Sequence, residues 1–123
     1  MIIMSDEFIK VSTQEINQEI ALIKKILESC KTDSDVSKNS QDIEGHIHKI
    51  KGLAPMMGKP GIGEIAALND ALLNHIIEGQ NIEGIFTILT ESTVFMNNSM
   101  NGPEQNTKEI KQKLETKYSK YLD

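Results

Sequence analysis

The sequence predicts an all-α protein, an up-down antiparallel four-helix bundle with a fifth, peripheral C-terminal helix. Three observations predict it. Apolar residues recur at steps of three and four through five stretches, and no stretch shows the period of two expected of a half-buried strand. Gly, Pro and Asn cluster between the stretches, at Gly58 to Gly61, Gly79 to Asn81 and Asn101 to Pro103. The connections are short, which makes consecutive helices antiparallel neighbours. The 123 residues suit one domain spanning residues 1–123, long enough to bury a single core without staples.

The first helix is expected over about residues 5–30, with Phe8, Val11, Ile16, Ile20, Ile23 and Leu27 facing inward. Ser5 is its expected N-cap, and Asp6 and Glu7 suit the positive end of the helix dipole. Thr32 to Asn39 reads as a polar loop, and Ser40 as the cap of a second helix over 41–57. Ile43, Ile47, Ile50, Ala54 and Met57 form the buried stripe of that helix, and Gly58 is its expected left-handed stop. Pro55 lies inside it and removes the N–H that would bond the carbonyl of Lys51, so a bend rather than a break is expected there. Pro60 opens the way to a third helix over 62–78, with Ile65, Leu68, Leu72 and Ile76 inward. A fourth over 82–100 uses Ile85, Ile88 or Leu89, Phe95 and Met96. The fifth, over 104–121, has a thin stripe of Ile110, Leu114, Tyr118 and Tyr121 or Leu122, which places it outside the other four.

Composition narrows the function classes. The apolar fraction is 38% and the charged fraction 25%, as in soluble globular domains. A net charge of −5 argues against a nucleic-acid partner, whose phosphates need a basic face. No apolar run is long enough to span a bilayer, so no membrane partner is expected. Met1-Ile2-Ile3-Met4 is too short, and lacks the basic flank, to be a signal peptide. Cys30 is the only cysteine, which excludes an intrachain disulfide and a cysteine zinc site and fits a cytoplasmic setting.

The most informative stretch is His48-Lys49-Ile50-Lys51-Gly52. His48 lies roughly 140° from the centre of the buried stripe, so its imidazole should face solvent. Lys51 and Gly52, at i+3 and i+4, share its flank. Imidazole titrates near neutrality, and its free nitrogen is a nucleophile able to accept a phosphoryl group. Lys51 can offset the added negative charge. A carboxylate that holds one ring nitrogen fixes the tautomer and frees the other nitrogen to attack; Asp70 on the adjacent helix is the first candidate and Glu44 the second. Gly52 costs about 1 kcal/mol against alanine in mid-helix, which calls for either access to the imidazole or close helix packing. His46 lies nearer the core edge and reads as a packing or capping residue.

These residues carry a resemblance. His48-Lys49-Ile50-Lys51-Gly52 with Gly58 resembles the H-x-[IL]-K-G-x5-G signature of histidine phosphotransfer domains, above all the amino-terminal phosphotransfer domain of chemotaxis histidine kinases of the CheA type. The likeness covers essentially the whole chain, and His48 to Gly79 lies on the family pattern without a gap. It implies that His48 is phosphorylated on Nε2 by a separate histidine kinase ATP-binding domain and passes the group to an aspartate of a response-regulator receiver domain. Asp70 stands where the family has a glutamate that bonds the imidazole, one methylene shorter, and Ala67 where a second histidine is frequent. The chain would be a phosphoacceptor, without cofactors of its own; ATP and Mg would be bound by the kinase domain, and no Gly-rich phosphate loop of a recognised type is present. The isolated domain is expected to be a monomer, either part of a larger kinase or a free-standing phosphorelay carrier.

Other classes make different predictions. A non-catalytic helical adaptor would bind its partner whether or not His48 is present. A metal site is not expected from the histidines: His46 and His48, at i and i+2, point about 160° apart, and His75 is on another helix. No nucleophile and base pair can be placed together for hydrolase chemistry.

Overall fold

The computed structural model describes residues 5–122; Asp123 lies outside them, as does the Met1 to Met4 stretch weighed above as a signal peptide. The chain is all-helical, with no strand among the described residues. Helix α1 is Asp6–Glu28, α2 Asp33–Lys38, α3 Ser40–Met56, α4 Pro60–Ile77, α5 Ile85–Met100 and α6 Lys108–Lys117, followed by a 3₁₀ turn Ser119–Tyr121. Helix α3 packs on α4 and α1, α5 packs on α1 and α4, and α6 and the 3₁₀ turn lie against α4.

Local chemistry accounts for the helix ends. The Ser5 side chain accepts the Phe8 N–H at 3.0 Å, as an N-cap should. Helix α3 ends in a Schellman motif: Lys59 N–H donates to Ala54 O at 2.8 Å and Gly58 N–H to Pro55 O at 3.2 Å. Gly58 takes φ 85°, which a side chain would strain. Gly79 and Gln80 close α4 in the same way, through Ile76 O and His75 O.

The core is the expected one, with one displaced position. Ile43, Ile47, Ile50, Ala54 and Met57 are all buried, as are Ile16, Ile20, Ile23 and Leu27. Val11, expected inward, is exposed, and Ser12 is buried in its place. The wide gap from Val11 to Ile16 is where the apolar period slips, and the face turns with it. Leu68 is only partly buried.

The segment Thr32 to Asn39 corrects the sequence reading. It is a helix, not a loop, so the described residues form six α-helices where five were expected. Thr32 accepts the Asp35 N–H at 3.1 Å, and Val36 is completely buried, anchoring the segment to the core. Six residues are too few to display a full apolar period, so the sequence shows only their polarity. Ser40 is not a cap but the first residue of α3. Asn39 occupies the cap position, and its side-chain amide donates instead to Asp35 O at 2.9 Å.

Asp33 explains why α2 is held. Its two carboxylate oxygens accept the N–H groups of Gly84 and Phe86 at 2.8 and 2.9 Å, capping α5 from 51 and 53 residues away. Helix α5 therefore starts at Ile85, three residues later than expected, after Gly84 at φ 86°. A carboxylate on free N–H groups at a helix start is favourable in both hydrogen bonding and dipole. Asp33→Ala should lower the unfolding free energy by about 1–2 kcal/mol in urea denaturation, and Asp33→Asn by less.

Pro55 does not break α3, which continues to Met56. Its ring seats against Gly63 of α4, where an added Cβ would come within 2.6 Å of Pro55 Cγ. The proline lies in the last turn, so it deprives only one carbonyl, and the glycine opposite lets the two helices close over it. The C-terminal helix is shorter than the expected 104–121. Glu104 to Asn106 stay outside it, and Lys108 N–H bonds Asn106 Oδ1 at 2.8 Å. Leu114 and Tyr118 bury it, and Lys113 pairs with Glu91 of α5 at 2.8 Å and Lys111 with Glu64 of α4.

Candidate functional site

Helix α3 presents His48 outward: its side chain is 67% exposed. The ring nitrogen that faces the protein is Nδ1. It lies 3.8 Å from Asp70 Oδ2 of α4 and 3.8 Å from Glu44 Oε2 one turn earlier on α3. Both separations exceed a hydrogen bond, so the acids attract and orient the ring rather than hold it. Lys51 Nζ lies 3.2 Å from the same Asp70 Oδ2. The structure thus brings His48, Lys51, Asp70 and Glu44 together, the four side chains that the sequence reading selected.

Asp70 is the member whose setting the sequence hid. It is only 4% exposed, on a stretch of α4 where Asn69 beside it is buried too. Its Oδ1 has no hydrogen-bond partner while Glu44 is ionised; a protonated Glu44 can donate to this carboxylate. A buried carboxylate retains its charge only with close positive partners, and Lys51 supplies one. The ammonium is therefore tethered beside the imidazole.

Glu44 is held above the ordinary glutamate range. A hydrogen bond to Asp70 is the main cause, followed by burial and by the Asp70 charge; His48 and Lys51 pull the other way. The folded protein thus binds this proton more tightly than the unfolded chain does. Its contribution to stability is fullest below the ordinary glutamate value and declines as pH rises through the raised folded value. Glu44→Gln keeps a donor toward Asp70 and removes the like charge. The variant should be more stable than the parent at pH 7, and the advantage should shrink as pH falls through the raised folded value of Glu44 and disappear below the ordinary glutamate range, in paired urea titrations.

The two glycines of α3 frame His48. An added Cβ at Gly52 meets nothing within 4 Å, so of its two expected roles, access and close packing, the surroundings match access. Gly45 is equally open, and the sequence reading passed over it. Gly45, His48 and Gly52 fall at i, i+3 and i+7, one face of the helix. A second mid-helix glycine one turn before the histidine was the signal available. Gly45→Ala and Gly52→Ala should each raise stability by about 0.5–1 kcal/mol in urea denaturation, since neither methyl meets a neighbour.

His46 belongs to a separate group. Its Nδ1 bonds Glu19 Oε2 of α1, and Lys49 Nζ lies 3.3 Å from Glu19 Oε1. Glu19 is 5% exposed, so the His46 hydrogen bond and the Lys49 ammonium satisfy a buried acid and tie α3 to α1. Lys59 lies apart from this group and donates to Ser99 O at 3.1 Å. An apolar groove of about 360 Å³ between α1 and α5, lined by Ile20, Leu27, Phe86 and Val94 among others, includes none of the His48 group. The imidazole instead stands on an open face, which suits entry into another protein's active site rather than enclosure of a small substrate. Among the described residues, no helix is long and apolar enough to cross a membrane. No family model, curated protein or solved structure matches the chain.

Proposed function

We propose that the chain is a phosphohistidine carrier of chemotaxis-type two-component signalling, in the cytoplasm, with His48 as the phosphoacceptor. The packing of α1, α3, α4 and α5 in a closed ring supports its reading as an up-down four-helix bundle, with α6 as the peripheral helix. One observation carries the functional reading: an imidazole 67% exposed, its Nδ1 turned toward a buried aspartate that also tethers a lysine.

The chemistry follows from that arrangement. A proton on Nδ1 is favoured by the carboxylates 3.8 Å away, which leaves the lone pair on Nε2. That lone pair attacks the γ-phosphorus of ATP held by a separate kinase domain; the Nε2–P bond forms and the bond to the ADP oxygen breaks. A receiver-domain aspartate then attacks phosphorus, the N–P bond breaks, and the imidazole recovers its lone pair. Lys51 offsets the charge of the phosphorylated state, and the bare surface at Gly45 and Gly52 admits a partner's backbone.

Phosphorylation by phosphoramidate or a histidine kinase core with ATP, followed by mass spectrometry that preserves the acid-labile N–P bond, tests the reading. It expects one added phosphoryl group, on His48; a chain that stays unmodified with both donors would refute it.

A further inference from the structure

We propose that Glu44, His48 and Asp70 form a binding site for a divalent transition-metal ion of the zinc class, and that metal binding and phosphoryl acceptance at His48 exclude each other. The exclusion rests on the function proposed above; the metal site does not.

Each of the three side chains offers a ligand atom, and these atoms all lie within 4.8 Å of one another. Two come from successive turns of α3 and the third from α4, so the packed α3–α4 pair holds the set together. The site differs from the pairing of His46 with His48 that helical geometry forbids, because one histidine here meets two acids. The second observation is Asp70 itself. It is 4% exposed, its Oδ2 faces Lys51, and its Oδ1 has no hydrogen-bond partner when Glu44 is ionised, the form in which Glu44 would bind a metal. Two carboxyl groups turned toward one imidazole call for a cation between them, which a proton or a metal ion can supply. The donor set selects the metal: imidazole is a poor ligand for magnesium or calcium and a good one for zinc, while the carboxylates complete three protein ligands and leave one position for water. Tetrahedral zinc with bonds of about 2.0–2.1 Å brings its ligands to within about 3.4 Å of each other. The present spacings of 3.8 Å therefore contract on binding, which the exposed His48 ring and the half-buried Glu44 allow by side-chain rotation.

The exclusion follows from the imidazole. A neutral ring has one proton and one lone pair. When Nδ1 gives its lone pair to a metal, the proton resides on Nε2, which then has none left with which to attack phosphorus. Metal binding thus selects the opposite tautomer to the one phosphoryl acceptance needs. Lys51 sorts the two cations: its ammonium opposes a metal ion and favours a phosphoryl group.

Zinc chloride titrated calorimetrically into the metal-free chain tests the site without any phosphoryl donor. The expected result is one zinc per chain. Glu44→Gln should weaken binding at least about tenfold by removing one of three ligands, His48→Gln should abolish it, and His46→Gln should leave it unchanged. Lys51→Gln should tighten it about three- to tenfold, the effect of one like charge removed a few ångströms away, while slowing phosphoryl uptake. Circular dichroism checks that each variant is folded. No zinc uptake, or uptake that persists in His48→Gln, would overturn the site. Uptake of both zinc and phosphoryl by the same chains, seen by native mass spectrometry, would overturn the exclusion alone; normal zinc binding by a chain that no donor phosphorylates would leave the site standing and remove the carrier function.

Discussion

His48→Gln should abolish phosphoryl uptake altogether, with the helical signal and the urea midpoint close to those of the parent. The loss is total because glutamine has no nitrogen lone pair free to attack phosphorus. The fold is spared because the side chain is 67% exposed and only approaches Glu44 and Asp70, at 3.8 Å, without a hydrogen bond to either. His46→Gln is the paired control. It removes one partner of the buried Glu19, so its effect should appear as lost stability with labelling retained. Labelling lost in His46→Gln and kept in His48→Gln would move the phosphoacceptor two residues along α3 and away from every feature described around His48.

Asp70→Asn should reduce the rate of uptake about 10- to 100-fold, the range for losing a carboxylate that orients a metal-ligating imidazole through its other ring nitrogen. Two effects combine. The asparagine no longer favours the proton on Nδ1, so the fraction of rings with a free Nε2 falls. Lys51 also loses the charge that tethers it 3.2 Å away, and no longer stands by the imidazole. A merely structural role predicts something else, namely lower stability with an unchanged rate per folded molecule. The pH profile separates the two, because loss of tautomer control changes its shape and loss of folded protein does not. An uptake rate in Asp70→Asn equal to that of the parent would show that the carboxylate 3.8 Å from the ring takes no part in the reaction.

Much of the site was legible because it is local. The position of His48 opposite the stripe of Ile43, Ile47, Ile50 and Ala54 is a matter of helical period, and so are Glu44 one turn before it and Lys51 one turn after. Asp70 was legible as a partner only through the hairpin of α3 and α4, and its burial was not legible at all. A carboxylate in the sequence Leu68-Asn69-Asp70-Ala71 looks the same whether a neighbouring helix covers it or not. Gly45 precedes the histidine and so falls outside the signature that runs from His48 to Gly58. The link from Glu19 to His46 and Lys49 joins residues 27 and 30 positions apart, beyond the reach of any helical period.

The amino-acid sequence by itself determined the all-helical class, the buried stripe of each long helix, the stops at Gly58 and Gly79, and the outward face of His48. These depend on residues within a turn or two of one another, where backbone geometry alone decides which side chains share a face. Only the tertiary structure decided that Asp33 caps α5, that Val36 turns a polar segment into a helix, and that Asp70 is buried between an imidazole and an ammonium. Burial and charge environment are set by whichever element comes to lie alongside, and that element is encoded dozens of residues away.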